Sequence, residues 1–313
     1  MNKKNIIFIG SGNIVTGYQQ NMENCHLKSI LNNPFYNVLG VIDPNNKNAD
    51  TFIKHSNSKK LNYDDLKYLD IDIIAICSQT RHHKGIIHKI IKSGIRPKCI
   101  FCEKPFTESL EDAINSFNSI NKLGIGLIIG YQRSFLSNFK NISKEFHDNK
   151  YGDFLYADVK YSKGLLNNGS HAIDLLHSIF GKISLDGFGK RFIDYDTNDK
   201  SAELHFSYKG RSISLIPFDE NSFSIFEIDL IFQKKRFRFT DNSFRLEQYS
   251  ISNDPHYPGY RSLTPSGYTL TEMKNSIDEM WTEVLNIIDN HQYFDIERTT
   301  HIHKLKEKLD KSL

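Results

Sequence analysis

The 313-residue sequence is poor in cysteine, and its four cysteines form no cross-linking or metal-binding pattern. Cys25, Cys77, Cys99 and Cys102 all fall in apolar or helical contexts of the first third. Cys99 and Cys102 make a CxxC, but side chains three apart on a strand point to opposite faces. With no second CxxC and no nearby histidine pair, they read as buried thiols, and no metal is assigned. No apolar stretch approaches the ~20 residues that a membrane-spanning helix needs. No Lys/Arg block is long enough to track a phosphate backbone, and the net charge is only +3, which argues against nucleic acid as a partner. The start, Met1-Asn2-Lys3-Lys4, runs straight into a strand without a signal-peptide cleavage pattern, so a cytoplasmic location is expected. Internal repeats and low-complexity linkers are also missing.

What is present is ordinary for a globular protein: 39% hydrophobic and 25% charged residues, in a chain long enough for two cores. Short apolar runs at Asn5–Ile9, Asn37–Ile42, Ile71–Cys77, Cys99–Cys102 and Gly126–Gly130 read as buried parallel strands. Helical patterns at about Asn13–Leu31, Lys84–Ser93 and Leu110–Leu123 alternate with them, which predicts a doubly wound α/β domain over residues 1–130. The pattern then changes. A helix near Leu136–His147, a strand Phe154–Tyr161 and a helix ending near Phe180 precede the alternating strands Ala202–Tyr208, Arg211–Phe218, Phe223–Phe232 and Arg236–Thr240. Residues 131–313, closing in further helices after Thr269, are expected to form an α+β domain on an open mixed, largely antiparallel sheet. The basic run Lys234-Lys235-Arg236-Phe237-Arg238 reads as the solvated face of an edge strand.

Four segments carry residues suited to chemistry. Gly10-Ser11-Gly12-Asn13-Ile14-Val15 follows the first strand. Gly10 permits a tight turn and Gly12 a close approach of a pyrophosphate, although Val15 takes the place of a third glycine. Asp43 closes the second strand, where a carboxylate bonds the adenosine ribose diol; an aspartate before Pro44 equally serves as a turn cap. It lies 33 residues beyond Gly10, which implies extra residues around Tyr18–Cys25. A carboxylate there repels a 2′-phosphate, so NAD(H) is favoured over NADP(H). Glu103-Lys104-Pro105 ends the strand Cys99–Cys102, where open α/β sheets place ligands, and Gly169-Ser170-His171-Ala172-Ile173-Asp174 opens a later helix. Hydride transfer from a secondary alcohol requires a base to take the hydroxyl proton and a donor to hold the developing alkoxide, roles that His171 and Lys104 suit together, although either alone also reads as a helix-cap histidine or a surface lysine. His82 reads as a surface residue, and the other histidines, such as His55, His147, His301 and His303, show no metal-ligand spacing with carboxylates.

With these residues in place, the chain resembles the glucose–fructose oxidoreductase / inositol dehydrogenase (Gfo/Idh/MocA) family. The likeness runs through the glycine turn, His26 in HLKSIL, Asp43, AICSQTRHH, GIRPKCIFCEKP, GYQRSF and GSHAID. It implies a Rossmann domain followed by an α/β domain whose open sheet face makes homodimers or homotetramers. It also implies a sugar, cyclitol or nucleotide-linked sugar substrate. By resemblance, Gly10, Gly12, Asn13, Ile14, Asp43, Ser78, Gln79, His83 and Glu103 hold the cofactor. Lys104, Arg133, Asn167, His171 and Asp174 meet the substrate, with Lys104, Asn167 and His171 catalytic and the Lys104–Pro105 bond often cis. Asn167 stands where many relatives have aspartate, and Ser134 where many have arginine. Two other readings stay open: a non-catalytic sugar or dinucleotide sensor, and a reductase of a non-sugar carbonyl or imine.

Overall fold

The structure, a computed structural model, describes residues 3–312. The chain divides into two compact units, one running to Gln132 and resuming at Asn275, the other spanning Arg133–Lys274.

The first unit is built on β1 (Lys4–Ile9), β2 (Tyr36–Ile42), β3 (Lys59–Lys60), β4 (Ile73–Ile76), β5 (Cys99–Cys102) and β6 (Gly126–Ile129). They pair in the order β3-β2-β1-β4-β5-β6, all parallel. β4, β5 and β6 are buried along their whole length, as strands covered on both faces must be, so they carry no polar alternation. Strand order reverses between β1 and β4, which makes the carboxyl ends of these two strands the crevice in which such sheets bind ligands.

The division differs from the sequence expectation in one respect. The closing helices Ser276–Asn290 and Ile296–Lys311, which the sequence expectation gives to residues 131–313, lie in the first unit. Trp281 of the first of these helices is fully buried against Phe101 at 4.6 Å and Tyr36 at 5.7 Å, and its carbonyl accepts a 2.6 Å bond from the Tyr36 hydroxyl. The helix expected over Asn13–Leu31 is also broken. α-Helix covers only Asn13–Thr16 and His26–Asn32, with a 3-10 turn at Tyr18–Gln20 between them, and Gly17, at a positive φ of 86°, ends the first piece. The irregular stretch between them holds the extra length inferred from the Gly10–Asp43 spacing.

The second unit carries β7 (Phe154–Tyr161), β8 (Ser184–Asp196), β9 (Asp199–Tyr208), β10 (Arg211–Pro217), β11 (Phe226–Phe232), β12 (Lys235–Thr240), β13 (Arg245–Asn253) and β14 (Arg261–Leu270). The sheet order is β14-β13-β12-β11-β7-β10-β9-β8; β7 and β10 are parallel and every other neighbouring pair is antiparallel. One face is covered by the helices Ser137–His147 and Ser170–Phe180: Phe139 stacks on Phe239 at 4.1 Å and Phe180 meets Phe154 at 4.5 Å.

The expected edge strand at Lys234–Arg238 is instead β12, interior between β11 and β13. Its charges are matched across the sheet. Arg236 Nε donates to Asp229 at 2.9 Å, and Arg238 Nη1 donates to Glu247 at 3.3 Å. Opposite-charge cross-strand pairs let a basic strand sit inside an antiparallel sheet.

Candidate functional site

The glycine turn lies at the carboxyl end of β1. Gly10 has φ 90°, and a Cβ there would meet Ser78 N at 2.7 Å, so the turn after β4 comes too close for any side chain. Gly12 is the opposite case: a Cβ there meets nothing within 4 Å, so its outer side is open to a ligand. Val15 is fully buried and packs where the third glycine of the motif would stand. Asp43 is 8% exposed and bound tightly to this turn. Its Oδ2 accepts from both the backbone N–H and the hydroxyl of Ser11, each at 2.7 Å, and its Oδ1 accepts from Asn45 N at 2.8 Å. The Asn45 contact is the turn-capping role, and the Ser11 contacts join β2 to the glycine turn. Three of the roughly four acceptor positions of a carboxylate are thus used, leaving one.

Ser78, half-buried, and Gln79, exposed, follow β4 in the loop facing Gly10. His83 is fully buried, its Nε2 2.9 Å from the Ser78 carbonyl and its Nδ1 3.0 Å from the Phe106 carbonyl. Its ring therefore ties the loop to the segment after β5 and presents no edge to a ligand.

Glu103 and Lys104 are both half-buried at the end of β5, and the Lys104–Pro105 peptide is cis. Glu103 Oε1 lies 2.9 Å from Nε2 of His26, whose Nδ1 accepts a 2.9 Å bond from the Trp281 indole N–H. An indole nitrogen only donates, so His26 Nδ1 is the unprotonated nitrogen and Nε2–H points at the carboxylate. Glu103 also reaches across β6, where a Cβ on Gly130 would meet its Oε1 at 2.7 Å. His26 and Trp281, which composition and spacing gave no reason to place in the site, thus fix the acidic member of the Glu-Lys-Pro motif. So does Ser11 for the glycine turn.

In the second unit, Asn167 lies in a wide π-helical turn, Gly164–Gly169, which runs into the α-helix Ser170–Phe180 carrying His171 and Asp174. Turns of this kind are frequent at functional sites. Gly164 (φ 76°) starts the turn, and a Cβ there would run into the Asp199 carboxylate. The Asp199 carboxylate holds the turn by accepting from Leu166 N at 2.7 Å and Asn167 N at 2.8 Å. His171 and Asp174 are buried, at 4% and 3% exposed. Because Asn167 lies in the wider turn, simple α-helical four-residue geometry does not relate it to His171. Arg133 follows β6 on a short 3-10 turn, Gln132–Phe135, and its guanidinium lies 3.9 Å above the Phe226 ring. Among the described residues no group of three or more His, Cys, Asp or Glu forms a metal site, and all four cysteines are buried free thiols. Nor is any helix among them long and apolar enough to cross a membrane.

A parallel sheet in this strand order, with a glycine turn at its first strand and an acid at the end of its second, defines the dinucleotide-binding class. Residues 4–131 match the model of the Gfo/Idh/MocA family, an oxidoreductase family with an NAD-binding Rossmann fold. Inositol 2-dehydrogenase of Rhizobium meliloti is 30% identical over 84 residues, which are 27% of this chain and 24% of that protein. The matched segments span between 20% and 35% of the length of four curated relatives. Among solved structures, a dehydrogenase from Chromobacterium violaceum has a TM-score of 0.78 at 13% identity, covering 100% of this chain and 96% of that one. An oxidoreductase from Agrobacterium radiobacter in complex with NAD+, L-tartaric acid and magnesium has a TM-score of 0.72 at 12% identity, covering 97% and 95%. At these identities the structural likeness concerns the fold.

Proposed function

We propose that this chain is an NAD(H)-dependent oxidoreductase acting at a hydroxyl-bearing carbon of a sugar, cyclitol or nucleotide-linked sugar. The observation that carries the reading is the coupling of Asp43 to Ser11 inside the glycine turn, at the point where strand order reverses. Gly12, open on its outer side, with Asn13 and Ile14 after it, suits a pyrophosphate, and the remaining acceptor position of Asp43 suits a ribose hydroxyl rather than a 2′-phosphate. Ser78 borders the turn, His83 holds the Ser78 carbonyl, and Gln79 and Glu103 are assigned to the cofactor with them. A bound nicotinamide supplies or accepts the hydride. His171 takes the hydroxyl proton in oxidation and returns it in reduction, and Lys104 holds the oxygen on which charge develops. Asn167 and Asp174 orient His171 and the substrate. The exposed side of the second sheet, where Ile193, Tyr195, Tyr268 and Leu270 are each more than half exposed, is assigned to homodimer or homotetramer formation.

The test is reduction of NAD+, followed at the nicotinamide absorbance, against a panel of sugars, cyclitols and nucleotide sugars. Calorimetric titration with NAD+ and NADP+ runs beside it. Turnover with one panel member, lost by orders of magnitude in His171→Ala and Lys104→Met while NAD+ still binds, is the expected result. Tighter binding of NADP+ than NAD+ would overturn the cofactor assignment, and unaltered turnover in either variant would remove that residue from the chemistry.

A further inference from the structure

Arg133 is 9% exposed, and its Nε is fully buried with no hydrogen-bond partner among the described residues. Its one recorded side-chain interaction is the stacking on Phe226. Burial alone lowers its pKa to about 10, with no acidic neighbour contributing, so it is a cation at neutral pH. A buried charge without a counter-charge is costly, and a cation–π contact returns only part of that cost. A sequence that keeps an arginine here, and gives it neither carboxylate nor carbonyl, leaves its forked donors available to something outside the chain.

The arginine's surroundings within the second unit show where such a ligand would sit. Phe226 begins β11 and is paired with Tyr161, the last residue of β7. The Tyr161 ring packs under Gly169, where an added Cβ would meet it at 2.9 Å, and Gly169 lies two residues before His171. Tyr161 is itself fixed, its hydroxyl donating to the Ala202 carbonyl at 2.6 Å. The series Arg133, Phe226, Tyr161, Gly169 therefore brings the guanidinium to the end of the sheet from which the His171 helix starts.

We propose that Arg133 receives an oxyanion carried by the substrate, so that the enzyme acts on an acidic sugar or polyol, bearing a carboxylate or a phosphoryl group, rather than on a neutral one. The shared chemistry is a planar or tetrahedral set of anionic oxygens, which the guanidinium can grip through two donors. The identity of this ligand as substrate rests on the oxidoreductase reading; the oxyanion site itself does not.

The experiment titrates the intact protein, held at saturating NAD+ so that the pyrophosphate turn is occupied, with inorganic phosphate and separately with acetate. Melting temperature and heat of binding are read for the wild type, Arg133→Met and Arg133→Lys. In the wild type one of the two anions is expected to raise the melting temperature, and which one does so separates a phosphoryl from a carboxylate ligand. Arg133→Met is expected to weaken that anion at least tenfold while melting no lower than the wild type without added anion, because it removes an uncompensated buried cation. Arg133→Lys should retain part of the binding. Two results would overturn the proposal: a wild type that responds to neither anion, or an Arg133→Met protein that binds the anion as well as the wild type. Titration with NAD+ alone on the same three proteins shows separately whether the dinucleotide reading holds.

Discussion

The side chains that carry the proposed chemistry are held by partners far from them in sequence. Glu103 is fixed through His26 to Trp281, and Asp43 is fixed by Ser11, so each acid of the first unit has its oxygens oriented before any ligand arrives. Replacing Asp43 by asparagine removes one acceptor and leaves a buried Ser11 donor unmatched. The expected cost is about 1–3 kcal/mol of stability, read by denaturant titration, together with weaker NAD+ binding. If stability falls and NAD+ affinity does not, Asp43 is a turn cap alone. His26→Gln is expected to fold, since an amide can both accept from the indole and donate to Glu103, whereas His26→Leu should lower kcat by disordering Glu103 beside Lys104. Equal kcat in the two variants would show that Glu103 needs no such orientation. At this scale the sequence was legible where short motifs carry the residues, as for Gly10, Asp43, Lys104 and His171. It was not legible for Trp281 or Asp199, because their contacts link positions 32 or more residues apart.

Elements explain the next part of the pattern. Uniform burial made the parallel strands readable, because apolar runs of four to seven residues bounded by turns have few other interpretations. β14 leaves no pattern in the sequence, because Arg261–Leu270 is mostly exposed and contains Pro265 and Gly267, so it has no buried face to produce alternation. The break after Thr16 is invisible to hydrophobic periodicity because Gly17 acts through its positive-φ backbone. The π turn Gly164–Gly169 has the same character: its geometry is imposed by the Asp199 carboxylate, which arrives from β9. Asp199→Ala leaves two backbone donors without their acceptor and is expected to cost about 2–4 kcal/mol. It should depress kcat through Asn167 and His171 while leaving NAD+ affinity at the wild-type value. An unchanged kcat in folded Asp199→Ala protein would mean that the turn does not set the position of either residue.

Considered whole, the chain makes one unit in two passes and the other in a single pass between them. The closing helices secure the first unit: Trp281 joins its aromatic core, and His303 of the last helix lies 2.9 Å from the Thr107 carbonyl. Burial holds the pKa of His303 below the ordinary histidine value, so the folded chain binds fewer protons there than the unfolded chain. Its effect on stability is therefore fully felt above about pH 6.5 and is progressively lost as pH falls from there towards the lowered folded value. His303→Gln should flatten this part of the stability–pH curve; an unflattened curve would assign the acid sensitivity elsewhere. Trp281→Ala should cost about 3–5 kcal/mol and weaken NAD+ binding although it lies outside the glycine turn. During synthesis the six strands of the nucleotide unit emerge first, then wait through the whole of the second unit for the tryptophan that completes their core. A message cut short anywhere between Arg133 and Lys274 would therefore lose both units, whereas a single proteolytic nick in the finished protein over the same span leaves every contact of the first unit in place.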